Sequence, residues 1–386
     1  MDFSSRPGAG RNHMTVAAVA HPRQKDWINI VFLMLTPILG IPVTAWYTWK
    51  VGFSPWMPVL CVGMFTVIGL SVCAGYHRFF SHKSYECSPA VQAIYAFFGA
   101  MAAQNSILCW SSDHRIHHQY VDKDWDPYNI QRGFWWAHFL WVFYKPAQPK
   151  NFANVPDLER NPVVQWQHRW YRVILLLGIF GIPTAIGAVY GHPLGGLLWG
   201  GFLRVVITHH TTFFVNSLAH YIGKRNFNAR VSARDNWVLA LVTFGEGYHS
   251  FHHRFPADFR NGIRWYHWDP SKWMIRGLKA VGLASDLRTT AAPMIEGARL
   301  HAAVKEVESH IQRAPSTLGE EVRRRIAASR DTIEHAFALW RQHLEERASG
   351  RRSSWRTTRR RSRRSLKQAR RQWRSALELL DQRLAA

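Results

Sequence analysis

Eight of the 21 histidines fall in three tight clusters: His77 and His82 in HRFFSH, His114, His117 and His118 in HRIHH, and His249, His252 and His253 in HSFHH. The form HxxHH thus occurs twice, 135 residues apart. Residues at i, i+3 and i+4 share one face of a helix, so each box aims three imidazoles at one place. Imidazole suits Zn, Cu, Fe and Ni, and the four cysteines form no CxxC framework of the structural zinc kind. Eight imidazoles exceed the needs of one ion. The economical reading is a dinuclear centre whose rings are oriented by nearby carboxylates, Asp113, Asp122, Asp124, Asp126 and Glu246. The spacing of His77 and His82 puts them about 140° apart on an ideal helix, so that pair requires a helix end or a turn. Isolated histidines such as His13, His21, His168, His192 and His267 read as surface or interfacial groups.

Four apolar stretches are long enough to position these clusters against a membrane: 27–49, 56–75, 173–191 and 194–215. The first two hold no charged residue, while the fourth contains Arg204, His209 and His210. A helix of about 20 residues crosses the roughly 30 Å hydrocarbon layer, which points to an all-α integral membrane protein with four transmembrane helices. Arg6, Arg11, Arg23 and Lys25 precede the first stretch, and the two far-side loops carry only Lys50. The positive-inside tendency then places both termini and the long middle segment, 76–171, in the cytoplasm. Residues 90–108 form a fifth apolar run, interrupted by Gln104 and Asn105. As a crossing it would put the first two histidine clusters on opposite sides, so the expectation is a helix lying along the membrane face.

Composition sharpens this division. The chain of 386 residues has 49 Lys+Arg against 25 Asp+Glu, net +24, and its 14% aromatic and 19% charged content excludes disorder throughout. Half of that net charge lies on residues 311–386, and 351–374 holds 12 basic residues and no acid. A mean hydropathy of −0.21 therefore averages an apolar body with a basic extension.

In order along the chain, HRFFSH, DHRIHH with WDPYN and RGFWWAH, NSLAH, and GEGYHSFHHRFP resemble the membrane-bound fatty acyl desaturases, the delta-9 branch typified by stearoyl-CoA desaturase. The likeness runs from about Trp56 to Arg288. It implies a cytosolic cap on four membrane helices, holding two iron ions with dioxygen as co-substrate. The implied ligands are His77, His82, His114, His117, His118, His220, His249, His252 and His253, with Asn216 reaching one iron through water. Of these, His220 comes from the resemblance alone. The family also implies a kinked acyl tunnel, its kink on Gln104, Trp110 and Thr212 and its floor on Phe65 and Gly69. Where acyl-CoA members place an Arg before the second box and an Arg-Lys pair after RGF, this chain has Ser112 and Tyr144-Lys145. Only Lys145 remains for a carrier headgroup, so CoA, acyl carrier protein and phospholipid all stay open as acyl carriers.

The expected activity is insertion of a cis double bond into a saturated acyl chain, with electrons from a separate ferredoxin, rubredoxin or cytochrome-type protein. A membrane hydroxylase shares the scaffold. A histidine-rich metal transporter would place ligands inside the spans, on a conduction path. The domain reading is a cytosolic segment 1–26, a desaturase domain 27–288 and a basic helical extension 289–386. Apolar stripes at Leu318, Val322, Ile326, Ile333, Phe337, Trp340 and Leu344, and at Leu366, Trp373, Leu377, Leu380 and Leu384, mark helices in that extension. Contact with anionic lipid is the first expectation for its basic run, since the body already holds it beside a cytoplasmic leaflet. Nucleic acid is a poor partner, because no recognition module accompanies the charge.

Overall fold

A computed structural model of the chain describes residues 23–146, 150–313 and 320–348, together with 357, 360–361, 364–368, 371–375 and 378. Among the described residues, three helices are long and apolar enough to cross a membrane: α1 (Trp27–Val51), α2 (Trp56–Ser81) and α3 (Pro162–Val189). Their exposed faces carry Ile28, Val31, Leu35, Ile38, Val59, Val62, Leu176 and Phe180, a lipid-compatible belt with Trp27, Trp46, Trp49 and Tyr190 toward the ends. The third helix begins well before the expected 173. Its first turns bear polar residues, among them the fully buried Gln167, which donates to Tyr76 Oη (2.7 Å) and accepts from Ile107 N (3.1 Å).

The fourth expected span is also helical, α4 at 193–216, but it is packed rather than uniformly apolar. Arg204 is fully buried in it and donates to three carbonyls: Gly200 O (3.0 Å), Met101 O (2.6 Å) and Gly178 O (2.8 Å). A buried charge is tolerated because every nitrogen has an acceptor. Helices α3 and α4 cross closely at Gly187 and Gly196, where a Cβ on Gly187 would come within 2.8 Å of Gly196 Cα.

Between the long helices lie short ones. Pro89–Ala100 (α5) is apolar but only 12 residues long, too short for a crossing, and it is followed by a turn at 101–106 before α6 (Ile107–Tyr120) begins at the Ser106 cap. The main core joins α2, α5, α6 and α3 through Ile68, Tyr76, Tyr85, Tyr95, Met101, Ile107, Val164 and Ile174. Strand β1 (Arg23–Lys25) pairs antiparallel with β2 (Tyr144–Pro146), which ties the segment before α1 to the cap. Residues 1–22 lie outside the described residues.

Beyond 288, α7 (Ala292–Arg313) packs through Ala298 against Phe227 and Phe251, and α8 (Glu320–Ala348) packs on α7. Of the expected stripes, Trp340, Leu366 and Trp373 are buried, while Arg360, Arg361, Arg364, Lys367, Arg371 and Arg374 are exposed. Leu318, Leu377, Leu380 and Leu384, and the side chains of Val322, Ile326, Ile333, Phe337 and Leu344, lie outside what the structure describes.

Candidate metal centre

The last 11 residues of α2, Ser71–Ser81, are wound as a π-helix. The i→i+5 bond of that winding, continued by His82 N to His77 O at 3.1 Å, places residues five apart one above the other. His77 and His82 therefore point the same way, ring centroids 4.9 Å apart, without the sharp turn that an α-helix would need.

The second box lies on α6 and the third on α9 (His249–Arg254). With His220 they gather into two groups whose nitrogens lie within 4.8 Å of one another: His77, His82, His114, His118 and His252 in one, His117, His220, His249 and His253 in the other. Each HxxHH box splits in the same manner. The i,i+4 pair His114/His118 goes to the first group and His117 to the second, while His249/His253 goes to the second and His252 to the first. The groups abut where His118 and His253 stack, 4.3 Å between centroids.

Inside each group the Nε2 atoms face one another: His77 to His252 at 2.9 Å, His82 to His114 at 2.8 Å, His252 to His118 at 3.0 Å, His220 to His249 at 3.0 Å, His253 to His249 at 3.0 Å and His117 to His253 at 3.2 Å. The opposite ring nitrogens explain why. His117 Nδ1 donates to Asp126 (2.9 Å), His220 Nδ1 to Ser232 Oγ (2.6 Å), and His77 Nδ1 lies 2.8 Å from Glu246 Oε2. A neutral imidazole with its proton on Nδ1 presents a lone pair at Nε2. Burial and the neighbouring rings hold His114, His118, His252 and His253 well below the usual histidine range and His249 near 3, so these imidazoles are neutral at pH 7. With the proton on Nδ1, as the acceptors beside His117 and His220 favour, the Nε2 lone pairs face one another, an arrangement that fits metal cations.

The expected orienting carboxylates divide. Asp126 and Glu246 touch rings, and Asp122 acts through Ser232, accepting from its Oγ at 2.5 Å. Asp113 instead pairs with Lys150, and Asp124 is exposed. Glu246 also binds the buried Arg78 (2.9 Å), which reaches Asp269 at 2.9 Å. Four further residues act here: Arg78 within HRFFSH and Tyr128 within WDPYN (Oη 3.4 Å from His114 Nδ1), and Ser232 and Asp269, which carry no spacing signal.

A cavity of about 990 Å³ runs beside the histidines, and Asn216, Gln104, Trp110, Thr212, Phe65, Gly69 and Lys145 all line it, with His77, His114, His117 and His249. Gln104 donates to Thr212 Oγ1 (2.8 Å) and accepts from Trp110 Nε1 (3.3 Å), and the Trp110 ring stacks on His114 at 4.8 Å. At Phe65 and Gly69 the wall is closed by Phe244, whose ring sits 5.2 Å from that of Phe65 and would collide with any Cβ on Gly69. Elsewhere the lining is charged: Arg23, Asp26, Lys145, Lys150 and Arg172. Ser112 is engaged with Asn154 (2.9 Å), Tyr144 stacks on Trp136 at 5.6 Å, and Lys145 lies 3.8 Å from Asp26.

Residues 54–280 match the family model described as fatty acid desaturase. This chain belongs to the fatty acid desaturase family. It is similar to acyl-CoA desaturase 1 of Saccharomyces cerevisiae, 41% identical over 287 residues, covering 73% of this chain and 55% of that protein. It resembles the sn-2 palmitoyl-lipid 9-desaturase of Nostoc sp. at 37% identity, covering 68% of this chain and 90% of the relative. Human stearoyl-CoA desaturase 5 is 35% identical over 241 residues, 60% of this chain and 72% of its own. The desaturase-family chain thus spans just over half the length of the yeast relative. Family membership and the three apolar helices make it a membrane protein.

Proposed function

We propose that the chain is an oxygen-dependent fatty acyl desaturase that inserts a cis double bond, at the delta-9 position, into a saturated acyl chain. The observation that carries the reading is the paired gathering of nine imidazoles beside a mostly apolar cavity of about 990 Å³ that four of them line. The nine histidines would hold two iron ions, His77, His82, His114, His118 and His252 on one and His117, His220, His249 and His253 on the other, with Asn216 a water-mediated neighbour of the second. The chemistry supplied there would be removal of two hydrogens from adjacent CH₂ carbons; with two electrons from a reduced carrier protein and two protons from water, dioxygen would end as two waters.

The chain's own residues select and hold the substrate. The Gln104, Thr212 and Trp110 network bends the acyl chain so that one bond faces the histidines, and Phe65, Gly69 and Phe244 stop its methyl end. Glu246, Asp126 and Ser232 fix the rings they touch. Lys145 meets the carrier headgroup; supplying stearate as a CoA thioester, an acyl carrier protein thioester and a phospholipid in parallel identifies that carrier.

In the membrane, α4 is the fourth crossing beside α1, α2 and α3, and the histidine centre and both termini face the cytoplasm. The catalytic unit is 27–288, and 289–386 is a basic helical extension seated on anionic lipid. Iron analysis of the purified protein, together with product analysis in cells lacking monounsaturated chains, tests the activity. A product 16 Da heavier than the substrate would instead mean hydroxylation.

A further inference from the structure

His138 closes the motif RGFWWAH and ends the short helix Phe134–His138. It is 3% exposed, belongs to neither histidine group, and does not line the cavity. Its ring nevertheless has a partner on each side: Nδ1 lies 2.9 Å from Ser217 Oγ and Nε2 lies 3.1 Å from His210 Nδ1. Ser217 is fully buried at the point where α4 ends and the turn Leu218–Tyr221 begins, with φ −100° and ψ −67°.

We propose that His138 is a positioning residue for Asn216 and His220, acting through Ser217. One order of protons satisfies all three contacts. Ser217 Oγ lies 2.9 Å from Phe213 O, and a carbonyl only accepts, so the single hydroxyl proton goes there. The remaining lone pair on Oγ takes the proton of His138 Nδ1. In the neutral ring Nε2 then accepts from His210 Nδ1. Burial, followed by the neighbouring His210, pulls His138 down to about 4, so the ring is neutral at physiological pH.

The hydroxyl's bond back to Phe213 O is the i−4 contact that often bends a helix, and here it sits on the residue where α4 ends. His138 fixes the rotamer that makes this bond. The imidazole has no room to swing away, being stacked on Phe134 (5.6 Å) and set against Phe214 (4.8 Å). Ser217 adjoins Asn216, which lines the cavity, and His220 N donates back to Ser217 O at 3.1 Å, so a displaced Ser217 shifts both residues. Ser232 holds the far side of the His220 ring. The ring of His220 is fixed by Ser232 and its backbone by the His138 pair. This rests on the reading of His220 as a metal ligand.

The test compares His138→Asn, whose Nδ2 can replace Nδ1–H, with His138→Leu and Ser217→Ala, each purified in detergent and matched by gel filtration. Two quantities are read: metal bound per chain, and hydrogen exchange of peptides covering 213–222. The expected result is exchange about tenfold faster and metal affinity about tenfold weaker or more in the Leu and Ala variants, with the Asn variant near wild type. Equal exchange in all four proteins would overturn the proposal, as would a Leu variant with wild-type exchange and metal content. A wild-type protein that binds no metal would overturn the metal reading of His220 and, with it, the catalytic consequence. The exchange contrast would still decide whether His138 holds the turn.

Discussion

One carboxylate serves both a histidine of the centre and a buried arginine: Glu246 Oε2 lies 2.8 Å from His77 Nδ1, and Glu246 Oε1 accepts from Arg78 at 2.9 Å. The two residues it holds are adjacent in the π-helical end of α2, so Glu246 fixes both the ring and the backbone beneath it. Glu246→Gln keeps the shape but removes the charge, and is expected to weaken iron binding or turnover about 10- to 100-fold. Glu246→Leu also leaves Nε and Nη2 of Arg78 without an acceptor, while Nη1 keeps Asp269 and Phe259 O, and should cost about 1–3 kcal/mol of stability. Iron content and thermal unfolding in detergent separate the two effects.

The split of each HxxHH box makes a second expectation. His252→Ala and His117→Ala each remove one ring from a different group, although each lies in a box that mainly serves the other group. Each variant should retain about one iron per chain, and the two should differ in the spectroscopic signature of the iron that remains. Loss of both irons from either variant would mean that the groups do not bind separately.

The proposed floor of the acyl cavity makes product chain length the next readout. Gly69 has no room for even a Cβ beside the Phe244 ring, so Gly69→Trp must push into the cavity or displace that ring. The expected outcome is a shift of the monoenoic products toward shorter chains, seen by gas chromatography of total lipid methyl esters. An unchanged product profile would place the floor elsewhere.

Arg204 joins α4 to the turn after α5 and to α3 through Met101 O and Gly178 O. Arg204→Ala leaves three buried carbonyls short of a donor at about 1–3 kcal/mol each. The melting temperature should fall by several degrees, and Arg204→Lys should recover little, since one ammonium cannot span three acceptors set around a guanidinium plane.

The basic extension presents Arg360, Arg361, Arg364, Lys367, Arg371 and Arg374 outward while Leu366 and Trp373 turn inward. In nanodiscs of anionic lipid, amides of 357–375 should exchange more slowly than in zwitterionic discs, and salt of about 0.5 M should erase the difference. Identical exchange in both lipids would mean a solvated extension.

The histidine boxes were legible because their residues lie within one or two helical turns, where spacing dictates direction. Which ring joins which group was not, since that depends on how α6, α9 and the end of α2 cross. The spacing of His77 and His82 called for a helix end or a turn; His82 does cap the end of α2, and the π-winding before it supplies the rest of the alignment. His220 carries no cluster signal, only Asn216 four residues earlier. Ser232, Tyr128 and His138 act through contacts 12, 14 and 79 residues away in sequence, a separation at which no pattern survives. The start of α3 was missed because its polar first turns are buried against Tyr76 and Ile107 rather than against lipid.

The most direct test is to measure iron and product on the same preparation. About two irons per chain are expected, together with a monoenoic product 2 Da lighter than its saturated substrate. A well-folded protein without iron, or one that yields no unsaturated chain when supplied with a reduced carrier and all three acyl carriers, would contradict the proposed activity.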